Sequence, residues 1–340
     1  MPGPMLLYAT HPSFYRHDPG PLHPERMARL RAVETGVEES GLERRELSPE
    51  PADRAALVRV HAPAYVDAIE RFCRSGGGHL DRDTVATPES WEAAVRAAGA
   101  GIQAADIIRA SDSDLIAFLA LRPPGHHATV DRAMGFCLFN NIAVTAADLT
   151  ARGDRVAIVD WDVHHGNGTQ ATFWSDPNVL YVSLHQYPFY PYEGWIDDVG
   201  EGEGTGYTLN LPMPAGTAGD AYRQAFTRVL SPVLSQYQPD WLLVSAGYDA
   251  HAEDPLAALR LEAADYGWLA AELGRVLPTV PPIFFLEGGY HLPALTASVS
   301  ATLRAGRSEA PDPPSRFESP PSAFTIVDEL ARVASSYWSL

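Results

Sequence analysis

Residues 155–168 read RVAIVDWDVHHGNG. Val156, Ala157, Ile158 and Val159 form an unbroken apolar run, with Gly153 just before it. A short apolar run bounded by turn residues reads as a strand buried on both faces, as in a parallel sheet. Asp160, Asp162, His164 and His165 follow at its carboxyl end. Buried charge without partners is costly, so these groups need company. Asp162 and His164 are two apart and in extended backbone point to one side. An aspartate and a histidine on one side are two ligands of a zinc-type site. Taken alone, the stretch reads equally well as a charged loop capping the next helix.

The flanking sequence breaks that tie. Residues 5–10 read as a first strand. LIAFLAL (115–121) runs into RPPGHHAT (122–129), the run at 179–184 ends at His185, that at 241–245 leads into AGYD (246–249), and that at 283–286 into EGGY (287–290). Helical patterns fill the intervals: one opening near Pro24, then 52–60, 63–74, 90–110, 139–152, 221–237, 263–277 and 324–337. Residues 79–88 read as polar surface. The 186–206 segment is a long loop rich in Pro, Tyr, Trp and Gly, a type of loop that is often functional. A Pro-rich linker at 311–321 leads to the last helix. Strands alternating with helices predict an α/β fold, with a single open, mostly parallel sheet flanked by helices on both faces. By length the 340 residues make one large domain or two ordinary ones. In such sheets ligands bind beyond the carboxyl ends of the strands. Four polar clusters at that one edge favour a site over a set of unrelated caps.

Composition narrows the function classes. Net charge is −18, which speaks against a nucleic-acid partner. It suits cationic ligands as well as plain solubility. The two cysteines, Cys73 and Cys137, lack CxxC spacing; they suit a reducing compartment and make neither a disulfide framework nor a zinc finger. No apolar stretch reads as a signal peptide or a membrane span. The expected compartment is the cytoplasm, with no membrane partner. A homo-oligomer is compatible with the sequence.

A hydrolytic zinc site keeps three protein ligands and one open position. Asp162 and His164 supply two, and Asp249, isolated after an apolar strand and a glycine, fits as the third. Two carboxylates beside the ion lower the acidity gain of bound water, so the site needs a general base, for which His126 and His127 are candidates. Asp160 accepting a hydrogen bond from either one fixes its tautomer and favours its charged form. Tyr290, in a Gly-Gly turn, could donate to an oxyanion. Singly, a His-His pair reads as surface, a Gly-Gly-Tyr as a turn with a packed ring, and an Asp after a strand as a helix cap.

The segments RPPGHH (122–127), GFCLFNN (135–141), DWDVHHGNGTQ (160–170), SAGYDAH (245–251) and EGGY (287–290) resemble the zinc-dependent histone deacetylase superfamily, and most closely its bacterial amidohydrolases near class II. The resemblance runs from HPERMARL at 23–30 to the last helix, which implies a single domain over 1–340. It implies the arginase–deacetylase fold and hydrolysis of an N-acyl amide, with one zinc ion on Asp162, His164 and Asp249. It further implies His127 as general base and acid, His126 as its electrostatic partner paired with Asp160, Tyr290 as oxyanion donor, and Asn167 in the class II form of its position. Gly135, Phe136 and Tyr190 would wall a tunnel for the alkyl chain, with Leu256 at a specificity position. Tyr190 replaces the family's usual Phe. Arg29 would line a cavity behind the metal, and Asp83 would stand at the substrate rim. Potassium or sodium would bind at two structural sites, one using Asp160, Asp162, His164, Ser183 and Leu184, the other Phe173, Asp176, Val179 and Tyr207.

The expected substrate is an acylated lysine in a peptide or protein, with an acetylated polyamine as the alternative. A short loop after Phe72 and Leu256 favour lysine; Glu193, Asp197, Asp198, Glu201 and Glu203 favour a polyamine. A catalytically silent acyl-lysine binder would not need the full set of ligands, histidines and Tyr290. A two-manganese hydrolase of arginase type would need more acidic ligands.

Overall fold

The structure is a computed structural model that describes residues 5–111, 114–305 and 316–340. Strands form at β1 (Met5–Ala9), β2 (Arg44–Leu47), β3 (Gly78–His79), β4 (Val85–Ala86), β5 (Leu115–Leu119), β6 (Val156–Asp160), β7 (Val179–Gln186), β8 (Thr208–Met213), β9 (Trp241–Ala246) and β10 (Pro282–Leu286). Eight of them build one sheet in the order β2-β1-β5-β10-β9-β6-β7-β8. Every neighbouring pair in it is parallel. β3 and β4 form a separate antiparallel hairpin.

Every residue of β5, β6, β9 and β10 is buried. Side chains alternate between the two faces of a strand, so helices must cover both, and the sequence runs apolar without alternation. These same four strands carry the polar clusters, and they are neighbours in the sheet. Their register is level: Asp160 lies beside Ser245, Ser245 beside Phe285, and Phe285 beside Leu119. Parallel direction and common register therefore deliver four loops to one edge.

Several elements differ from the sequence expectation. β2 is a largely exposed, charged edge strand, so no apolar run marks it. β8 is buried but carries Asn210 and Pro212, which mask it within a loop-like stretch. The helix expected from Pro24 starts at Ala28 and runs to Ser40. The helix expected at 52–60 is only Arg54–Leu57. Residues 79–88 hold most of the β3–β4 hairpin, with Thr84 fully buried. The 139–152 pattern becomes the helix Asn141–Ala151, because the Asn140 side chain accepts from Ala143 N (3.0 Å) and caps it. Residues 221–237 hold a π-helical turn, Phe226–Leu230, between the helices Gly219–Ala225 and Ser231–Tyr237. The last helix is Pro321–Ala334. Of the expected 311–321 linker, residues 311–315 lie outside the described residues. No helix among the described residues is long and apolar enough to cross a membrane.

His61 anchors the loop after β5. Its Nδ1 donates to Thr129 O (2.9 Å), and its Nε2 accepts from Asn140 N (2.9 Å). Accepting at Nε2 requires a neutral ring, and burial pushes its pKa down to about 4. An unfolded histidine titrates near 6.5. Between these values the unfolded chain binds a proton that the native chain refuses. Stability is therefore full above about pH 6.5 and falls as pH drops towards 4, by about 3 kcal/mol in all. Urea unfolding of wild type and His61→Asn from pH 7.5 to 4 should show this component in wild type and its loss in the variant. Parallel pH profiles would remove His61 from the account.

Candidate active site

The loop after β6 bends so that its backbone wraps its own carboxylates. Asp160 Oδ1 accepts from Asp162 N (3.1 Å), and Asp162 Oδ1 accepts from His164 N (2.9 Å). From β9, Asp249 Oδ1 accepts from Val163 N (2.9 Å). From β10, Gly288 N donates to Asp162 Oδ2 (2.7 Å). These contacts gather Asp162, His164 and Asp249 until one donor atom of each lies within 4.8 Å of the others. His164 Nδ1 is 3.1 Å from Asp162 and 3.2 Å from Asp249 Oδ2. That last approach is close but not aligned, so Asp249 Oδ2 is buried without a hydrogen-bond partner. A Cβ on Gly288 would stand 2.0 Å from Asp249 Oδ2, and one on Gly247 would stand 2.1 Å from Asp162 Oδ2. Glycine is required at both positions for the carboxylates to converge. Two buried carboxylates, one imidazole and an unsatisfied oxygen fit a single divalent ion of zinc type.

The two histidines after β5 have opposite environments. His126 Nδ1 donates to Asp160 Oδ2 (2.9 Å), and its Nε2 lies 3.9 Å from Asp162. Burial opposes charge on this ring, but Asp160, Asp162 and Glu287 outweigh it and push its pKa up to about 10. His127 Nδ1 donates to the neutral Asn167 Oδ1 (2.9 Å), leaving Nε2 as an acceptor. Burial, then the positive charges of His126 and His164, hold His127 well below its ordinary value. One ring is pushed towards its charged form and the other towards its neutral form, a split typical of acid–base sites.

A cavity of about 270 Å³ leads to these groups. Its wall includes Phe136, Tyr190, Leu256, Asp83 and Tyr290, together with both histidines, Asp162 and His164. Tyr190 stands edge-on to His127 (5.2 Å between centroids), and Phe136 edge-on to Tyr290 (6.0 Å). Gly135 has φ +55, and a Cβ there would meet the His127 ring at 2.3 Å; both facts demand glycine. Burial keeps the Tyr290 hydroxyl protonated far above the usual range, with Arg29 opposing the shift in part. Arg29, expected at a cavity behind the metal, is not part of this tunnel wall. It lies behind Tyr290, 5.0 Å from the ring centroid, and donates to Gly289 O (2.7 Å) and Glu287 O (2.5 Å).

The residues expected to hold monovalent cations fall into two groups. Asp160 and Ser183 are paired in register across β6 and β7, next to Asp162, His164 and Leu184. Phe173, Asp176, Val179 and Tyr207 surround the start of β7: Asp176 N donates to Phe173 O (3.1 Å), and Tyr181 N to Tyr207 O (2.8 Å).

The sequence reading missed three positioning groups. Glu287, which follows β10, accepts from Gly125 N (2.7 Å) and His126 N (3.2 Å). Its place just past a strand was the available signal. Asp254 Oδ2 accepts from Tyr290 N (2.6 Å) and His291 N (3.1 Å), and fixes the tyrosine's turn. Glu25 joins Arg29 (3.1 Å) and Arg122 (2.8 Å) in a wholly buried network, for which the sequence has no local sign.

Comparison with known proteins agrees with this geometry. The histone deacetylase domain profile matches residues 23–305. A histone deacetylase-like amidohydrolase of Pseudomonas aeruginosa is 38% identical, over 88% of this chain and 82% of that protein. A probable deacetylase of Archaeoglobus fulgidus is 33% identical, over 96% and 97%. The crystal structure of the HDA15 HD domain superposes with a TM-score of 0.91 at 34% identity, covering 98% of this chain and 97% of that one. A profile matched over most of the chain, on a sheet whose four adjacent strand ends form a metal-competent site, shows that the chain belongs to the histone deacetylase family.

Proposed function

We propose that this chain is a zinc-dependent amidohydrolase that removes acetyl or other short acyl groups from the ε-amine of lysine side chains. The observation that carries the proposal is that His126 bonds the carboxylate of Asp160 while His127 bonds the neutral amide of Asn167, both beside the cluster of Asp162, His164 and Asp249. Asp162, His164 and Asp249 would hold the zinc, which supplies Lewis acidity towards an amide carbonyl and makes water more acidic.

The chain's own groups account for the proton movements. His127 Nε2 takes a proton from the attacking water. His126, held charged by Asp160, cannot compete for that proton and stabilises negative charge nearby. Tyr290 donates its hydroxyl proton in a hydrogen bond to the carbonyl oxygen as charge grows there. His127 then gives its proton to the leaving amine. Phe136 and Tyr190 wall a passage suited to a tetramethylene chain, and Leu256 and Asp83 stand on its lining. Sodium or potassium at the Asp160–Leu184 and Phe173–Tyr207 groups belongs to the same proposal, as does residence in the cytoplasm.

An acetylated polyamine is the second reading, supported by five acidic residues between 193 and 203. Side-by-side kinetics on an acetyl-lysine peptide, acetylputrescine and acetylspermidine separate the two. The peptide should win by more than tenfold in kcat/KM, a gap above about 1.4 kcal/mol in transition-state binding; polyamines winning would transfer the assignment to them. Tyr290→Phe should lower kcat by about 10²- to 10³-fold, as loss of an oxyanion donor does, with zinc content unchanged. Near-normal turnover in that variant would take Tyr290 out of the mechanism.

A further inference from the structure

A second cavity, about 500 Å³ in volume, has Asn167 in its wall and is otherwise formed largely by Trp174 and the 187–198 loop. Four aromatic rings face it, those of Trp174, Tyr187, Tyr192 and Trp195, along with the carboxylates of Glu193 and Asp198. The Tyr187 and Trp195 rings lie 4.9 Å apart at 50°, an open corner rather than a closed stack. Tyr192 is 72% exposed and Trp195 39%, an uncommon placement for rings with no partner to cover them. Tyr192 also holds φ +67, a left-handed backbone that bulky residues rarely adopt, fixed by its N–H to Phe189 O (2.6 Å).

The acidic groups are not used up by the fold. Asp198 Oδ2 accepts from Trp195 N (2.9 Å), which ties one carboxylate to an aromatic wall residue. Glu193 makes no hydrogen bond or ion pair among the described residues. Burial and the Asp198 charge raise its pKa, and Arg132 opposes the shift. Residues 186–206 contain five acidic and no basic residues.

We propose that this cavity binds an alkylammonium group, with the rings supplying cation–π faces and the carboxylates accepting N–H. Aromatic faces attract cations in general. Two carboxylate acceptors favour a primary or secondary ammonium, which has protons to donate, over a quaternary one. Tyr190 lines the tunnel and Tyr192 this cavity. Being two residues apart, their Cα atoms lie within about 7 Å. A substrate with its acyl amide in the tunnel and a second amine several bonds away can reach both. That link to turnover rests on the deacylase proposal; the binding site does not. The amine can come from the free end of a polyamine or from a second lysine of a peptide.

Calorimetric titration of the zinc-loaded protein, with no turnover, tests the site. The probes are spermidine and a short peptide with one free lysine and no acyl-lysine, each beside a control that has neither the ammonium nor an acyl-lysine: a neutral diol of matched length, and the same peptide with norleucine for lysine. The proteins are wild type, Trp195→Ala and the isosteric Glu193→Gln, whose position is exposed and whose fold is checked by thermal melting. At least one amine should bind wild type more tightly than its uncharged control does, and bind tenfold or more weakly in at least one variant. Spermidine alone responding identifies a polyamine site; the peptide alone responding identifies a lysine site. No binding by either amine, equally tight binding of its uncharged control, or affinity within tenfold of wild type in both variants would overturn the proposal.

Discussion

Four carboxylates, Asp160, Asp162, Asp249 and Glu287, lie 0–1% exposed at one edge of the sheet. Carboxylates so deeply buried stay ionised only where hydrogen bonds and opposite charge replace water. His126 answers part of this demand, because Asp160, Asp162 and Glu287 all act on it to hold its proton. Backbone N–H groups of Asp162, Val163, His164 and Gly288 answer another part. Asp249 keeps an oxygen that no N–H or O–H satisfies. A divalent cation held by Asp162, His164 and Asp249 would complete the balance. The same arrangement favours an unprotonated His127: His126 is pushed towards its charged form beside it, and its hydrogen-bond partner is a neutral amide.

Packing behind the site turns that balance into a fixed geometry. Arg122 and Arg29 share the Glu25 carboxylate in the interior. Burial opposes its ionisation, but Arg122 and His17 together outweigh burial, so Glu25 stays well below its ordinary range. Arg29 then reaches the carbonyls of Glu287 and Gly289, and Asp254 grips the N–H of Tyr290 from the other side. The turn that presents the tyrosine is thus clamped at both ends. Groups this deep hold reacting atoms more firmly than surface loops could, which is what a positioned acid–base site requires.

The sheet was legible where burial on two faces writes an unbroken apolar run, as in β5, β6, β9 and β10. It was illegible at β2, whose residues are exposed and charged, and at β8, where Asn210 and Pro212 interrupt the run. The site was legible because each functional group follows directly on one of those strands. Which histidine takes Asp160 and which takes Asn167 was not written in the residue pattern alone, because adjacent rings differ only by where the loop turns; the family resemblance supplied the Asp160 pairing, and the Asn167 bond to His127 emerged only in the structure. Glu287 was overlooked beside the more conspicuous Gly-Gly-Tyr. The Glu25–Arg122 contact joins residues 97 apart in sequence, and no local pattern encodes it. The aromatic cavity was visible only as a long loop rich in Tyr and Trp.

The most direct test of the central claim is metal content, measured by elemental analysis on zinc-loaded wild type and Asp249→Ala, with folding checked by circular dichroism. The account predicts one zinc ion per folded wild-type chain and essentially none in the folded variant. Two ions per wild-type chain, or an undiminished ion in Asp249→Ala, would contradict it.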